Sequence, residues 1–147
     1  MSTKPKAAPN DVPENIELAR RAIRTIQRDG TDARDGMCQK AVRETIQDEY
    51  GDAYDAFHKG TAEASRRAWI RGGFAVDPQR GSVVGDILYK APTRNVAAGH
   101  VGIRVAGNRV AENSSTSVGR VRGAYGFRTL EEFGAVKTIV RLPRARK

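Results

Sequence analysis

The pattern of hydrophobic and polar positions divides the chain into a helical first half and a strand-rich second half. Over residues 14–28, Ile16, Ala19, Ile23 and Ile26 recur at spacings of three and four with charges between them, and Asp29-Gly30 supplies a stop. This predicts an amphipathic helix. A polar link at 31–36 leads into 37–48, where Met37, Ala41, Val42 and Ile46 repeat the helical spacing. Asp35 or Gly36 can cap its start, which puts Cys38 in the first turn. Between 49 and 73 the helical pattern is broken at Gly51 and Gly60, with 62–70 its better part, and Gly72-Gly73 ends it.

Short alternating runs then take over. Strands are expected at Ile87–Lys90, His100–Ala106, 109–114 and 136–142, the last ended by Pro143, with one helical turn over 129–133. Helices first and hairpin-connected strands afterwards imply an α+β fold, N-terminal helices packed on a mainly antiparallel β-sheet. Residues 1–13 are rich in Pro, Ala and Lys without periodicity and read as a flexible leader; 14–147 suit a single catalytic domain.

Composition narrows the chemistry. Hydrophobic residues make up 39% and charged residues 29%, a balance suited to folding rather than disorder. Twenty-six Lys and Arg against seventeen Asp and Glu give a net charge of +9, which favours an anionic partner or surface. The cations are dispersed with few aromatics among them, so nucleic acid is a weaker expectation than another polyanion. No apolar run reaches the roughly 20 residues of a membrane span, and the start lacks the apolar middle of a secretory signal, so synthesis in the cytoplasm is expected. The single cysteine excludes an internal disulfide and a multi-thiolate metal centre, leaving packing or reactivity for Cys38.

A thiol attacks a carbonyl well only as thiolate, and the unpaired N–H groups of a helix start lower its pKa. Its base must come from one of two histidines, His58 in an irregular region or His100 at a strand opening. His100 is the better placed, because a rigid strand fixes its ring. Asp86 reads as structural, a strand-opening carboxylate able to accept backbone N–H bonds.

The order Cys38, Gly85-Asp86-Ile87-Leu88-Tyr89, Gly99-His100-Val101-Gly102-Ile103, then Gly107-Asn108-Arg109-Val110-Ala111-Glu112-Asn113 resembles the NlpC-type and CHAP families of papain-like cysteine hydrolases. The resemblance covers residues 35–142, although Gly36-Met37-Cys38-Gln39 departs from the Asp-Cys-Ser-Gly run of many NlpC-type enzymes. It implies a papain-like fold, Cys38 as nucleophile, His100 as base and a polar third residue on the next strand. It also implies peptidoglycan as substrate, cleaved between stem-peptide residues or at the sugar-peptide amide, with no metal or organic cofactor. Such an enzyme can reach the wall after lysis, after export or as a phage component.

The third residue depends on hairpin register. A two-residue loop at Gly107-Asn108 sets Gly102 against Asn113 and puts Asn113 on the His100 face. This is the favoured expectation. A three-residue loop moves the pairing by one and substitutes Glu112, which stands twelve positions after His100, a spacing many relatives share. Ser114, Ser115 and Arg120 are further candidates for substrate contact. Two rival readings stand beside the enzyme: a non-enzymatic basic binding protein for nucleic acid or another polyanion, and a catalytically retired domain of the same fold.

Overall fold

The computed structural model describes residues 14–29, 38–94, 97, 99–113 and 125–144. Helices α1 (Ile16–Asp29), α2 (Cys38–Tyr50) and α3 (Ala62–Gly72) come first. Strands β1 (Ala75–Val76), β2 (Ile87–Lys90), β3 (His100–Ala106), β4 (Arg109–Asn113), β5 (Tyr125–Arg128) and β6 (Thr138–Val140) follow, with the short helix α4 (Leu130–Phe133) before β6. The strands form one antiparallel sheet in the order β1-β6-β2-β3-β4-β5. The expected α+β architecture is therefore present, and β2, β3 and β4 fall where alternation placed them.

Strand alternation sorts the apolar residues into two clusters. Ile87, Tyr89, Val101, Ile103, Val105, Ala111 and Val140 pack with Leu18, Ala22, Val42, Ile46 and Trp69 of the three helices. On the other face Leu88, Val110, Ile139 and Val76 gather around Phe133 of α4. The helical layer thus covers one face of the sheet, and α4 covers part of the other.

Local sequence accounts for the starts of α3 and α4. Thr61 caps α3 by accepting from the Ala64 N–H at 3.1 Å. Thr129 and Glu132 form a reciprocal capping box around the start of α4. In α1 the buried stripe runs through Leu18, Ala19, Ala22 and Thr25, while Ile16 is 39% exposed. The expected stripe through Ile16 was rotated, because Asn15 enters the core ahead of it: its N–H donates to Val84 O at 2.9 Å and its Nδ2 to Tyr50 Oη at 2.8 Å.

The Gly-Asp opening of β2 is structural. Gly85 has φ +96°, and a Cβ there would lie 2.5 Å from Asn15 O, so only glycine allows this approach. Asp86, 1% exposed, accepts from Val83 N at 2.8 Å and from Arg141 Nε and Nη2 at 2.9 and 2.8 Å. This bidentate pair fastens the β2 start to the segment after β6. The expected strand over 136–142 is shorter, Thr138–Val140, and just beyond it the Arg141 N–H donates to Phe74 O at 3.2 Å, continuing the line of β1.

Candidate active site

The site grows from the β3–β4 hairpin. Gly107 and Asn108 form the tight turn between Ala106 and Arg109, which pair directly. The next pair is Arg104 with Val110, so Val105 is an extra residue and the register shifts by one at this bulge. From there Ile103 opposes Ala111 and Gly102 opposes Glu112. The favoured register, with Gly102 opposite Asn113, is thereby corrected: a two-residue turn is present, but the bulge gives the pairing that a three-residue loop would have given.

Side chains far along the chain hold the bulge. Arg104 donates from Nε to Ala106 O at 3.3 Å, from Nη1 to Ser82 Oγ at 2.9 Å, and from Nη2 to Gly107 O. Its guanidinium thus ties the bulge to the turn and to Ser82, while Val105 stays in the helix-side core.

The consequence lies at the other end of the hairpin. His100, the first residue of β3, pairs with Lys90 of β2, and its Nε2 is 2.6 Å from Glu112 Oε1. Glu112 is 6% exposed, and its other oxygen accepts from Arg128 Nε on β5. Burial pushes the Glu112 carboxyl up, but the hydrogen bonds and charges of His100 and Arg128 outweigh it and hold the pKa below the ordinary carboxylate range. An ionised carboxylate only accepts, so His100 Nε2–H donates and Nδ1 is the nitrogen that exchanges a proton in the neutral ring.

Phe133 forms the floor. Its ring centroid is 5.6 Å from that of His100, and Lys90 Nζ lies 5.4 Å from it on the same sheet face. Gly102 makes room, since a Cβ there would come within 3.0 Å of Phe133 Cε1 and 2.7 Å of Val110 Cγ1.

Cys38 is the first residue of α2, within the first turn expected of it, while the expected caps Asp35 and Gly36 and the Cys38 side chain lie outside the described residues. Its neighbour Gln39 is 3% exposed and accepts through Oε1 from Tyr89 Oη at 3.2 Å. Tyr89 Oη in turn accepts from Trp69 Nε1 at 3.1 Å. Tyr89 directly precedes Lys90, the partner of His100, so the start of α2 is tied to the end of the sheet where His100 stands. Tyr89 belongs to the helix-side core, whereas His100 shares the opposite face with Phe133. Gln39 Nε2 is buried with no hydrogen-bond partner among the described residues, an arrangement that costs about 1–3 kcal/mol.

The structure therefore brings His100 and Glu112 together. Asn113 ends β4 with its backbone paired to Tyr125, and its side chain lies outside the described residues. Ser114, Ser115 and Arg120 also lie outside them. His58 is elsewhere, edge-on to Trp69, with both ring nitrogens buried and without a partner among the described residues, and burial drives it down to about 4. Arg128, Lys90, Phe133 and Gln39 escaped the sequence reading. Arg128 and Phe133 lie in a four-residue strand and a four-residue helix, too short to anchor a periodicity, while Lys90 and Gln39 lie in expected elements with nothing in the pattern to single them out.

The arrangement can hold an imidazole in one tautomer and stabilise it when protonated, which is what a thiol's general base requires. Among the described residues no group of three His, Cys, Asp or Glu could hold a metal ion, and no helix is long and apolar enough to cross a membrane. No family model and no curated protein matches the chain.

Proposed function

We propose that this protein is a cysteine hydrolase of papain-like fold that cleaves an amide bond in bacterial cell-wall peptidoglycan. The observation that carries the reading is the 2.6 Å contact between His100 Nε2 and the buried Glu112 carboxylate. It occurs at the twelve-residue spacing of the resembled enzymes and at the sheet end to which the Cys38 helix is tied. His100 takes the Cys38 proton through Nδ1, the thiolate attacks the amide carbonyl, and His100 returns the proton to the leaving amine. Water then hydrolyses the thioester while Glu112 keeps the ring in its tautomer. The charge of +9 draws the enzyme to the anionic wall, which it reaches after lysis, after export or within a phage particle.

Two observations favour a different reading. The helical layer lies on the sheet face opposite His100, and Arg128 completes the Glu112 ion network without any substrate. A retired domain, or a polyanion-binding protein, would keep that network for stability alone. Digestion of purified peptidoglycan by wild type, Cys38→Ala and His100→Ala separates the two. Release of wall fragments by wild type and by neither variant supports the hydrolase, with fragment masses identifying the bond. Release by none favours the non-catalytic reading, and equal release by all three rejects Cys38 as nucleophile.

A further inference from the structure

Lys90 stands beside His100 with its charge unanswered. The two residues are cross-strand partners, so their side chains rise from the same sheet face with Cβ atoms about 5 Å apart. Both bear on one ring: the centroid of His100 is 5.6 Å and Lys90 Nζ is 5.4 Å from the centroid of Phe133. Because β3 runs between β2 and β4, His100 has the Glu112 carboxylate on one flank and the Lys90 ammonium on the other. The arginines of this face are spent within the protein. Arg128 donates to Glu112, and Arg104 donates to Ala106 O, Gly107 O and Ser82 Oγ. Lys90, by contrast, is half-buried, and among the described residues its Nζ has no hydrogen bond or ion pair, only the face of Phe133. Gly134, at φ +94°, follows α4 beside it, and of the described residues a Cβ there would meet only Lys90, 3.4 Å from Nζ. Glycine at this position leaves the ammonium uncovered on that side.

We propose that Lys90 is a specificity residue whose ammonium binds a free carboxylate on the amino acid that leaves as the amine. The proposal rests on the hydrolase reading and names its substrate class. Glu112 occupies Nε2 of His100, so the leaving amine takes its proton from Nδ1 on the flank away from Glu112, where Lys90 stands. The amine and carboxylate of one amino acid lie a few ångströms apart, which suits a base and a cation on adjacent strands about 5 Å apart. An ammonium partly out of water pairs with a carboxylate more strongly than a fully hydrated lysine does. Cleavage between stem-peptide residues is thereby favoured over the sugar-peptide amide, whose leaving residue has its carboxyl engaged in the next peptide bond.

The test digests purified peptidoglycan with its free carboxylates intact and after their conversion to carboxamides, in about 0.5 M salt to screen the general attraction of the protein's charge. Wild type should act on the intact wall with a kcat/KM about 10- to 100-fold above that on the amidated wall. Fragment masses should place a free carboxylate, terminal or in the side chain, on the residue that bears each new amine. In Lys90→Met the intact-to-amidated ratio should fall to within about threefold of unity, and Lys90→Arg should keep most of it. Lys90→Gln decides the matter if Lys90→Met does not fold. Equal wild-type rates on the two walls, new amines on residues without a free carboxylate, or a wild-type ratio in the folded variant each overturn the role of Lys90 and leave the hydrolase standing. No release from the intact wall overturns the hydrolase reading and this proposal with it.

Discussion

Glu112 holds His100 and receives Arg128, so its replacement touches both chemistry and stability. Glu112→Gln keeps the shape and removes the charge; wall-fragment release should fall about 10²-fold or more, whereas Asn113→Ala should stay within about threefold of wild type. Comparable losses in both variants would return the third position to Asn113. His58 offers an independent check through pH. Its folded pKa of about 4 lies below the ordinary histidine value, so between the two the unfolded chain binds the proton and the folded chain does not. Stability from this residue is full above about 6.5 and is lost as pH falls toward 4, by about 1–2 kcal/mol once solvent screening of a half-buried ring is allowed for. Urea unfolding at pH 7 and pH 4.5 should show that loss in wild type and not in His58→Phe.

At the scale of elements, the hairpin shows what the sequence could and could not reveal. The period of apolar residues located α1, α2, α3 and the strands β2 to β4, because each has enough residues to repeat a spacing. It missed β1 and β5, of two and four residues, which pair because their neighbours offer an edge rather than because of any pattern of their own. The hairpin register was open between two choices, and alternation could not decide. The bulge depends on Arg104 reaching Ser82, 22 residues earlier, a contact that no local signal announces. Asp86 was legible as structural from its place at a strand opening, although its partner Arg141, 55 residues on, was not. Asp86→Ala removes the carboxylate that pairs with the buried Arg141 guanidinium and should cost about 3–5 kcal/mol, measured by denaturant unfolding. A loss below about 1 kcal/mol would mean that the pair does not secure the β2 start.

Across the whole molecule, a helical layer and a single antiparallel sheet meet at one end through the Gln39, Tyr89 and Trp69 contacts, with His100 and Glu112 on the adjoining strands. In the proposed reading the dispersed charge of +9 serves approach to a polyanion rather than the chemistry. Raising salt from about 0.05 to 0.5 M shortens the screening length severalfold. It should raise the KM on intact walls severalfold and leave acylation by p-nitrophenyl acetate unchanged. Equal salt effects on both would assign the charge to the site itself.

The claim on which everything else depends is that His100, held by Glu112, acts on Cys38. The direct measurement is the pH dependence of Cys38 alkylation by iodoacetamide in wild type, His100→Ala and Glu112→Gln. A free thiol ionises near about 8.5. A catalytic pair predicts a wild-type midpoint below about 7 that returns toward the free value in His100→Ala, with Glu112→Gln between them. Three superimposable profiles at the free-thiol value would contradict it.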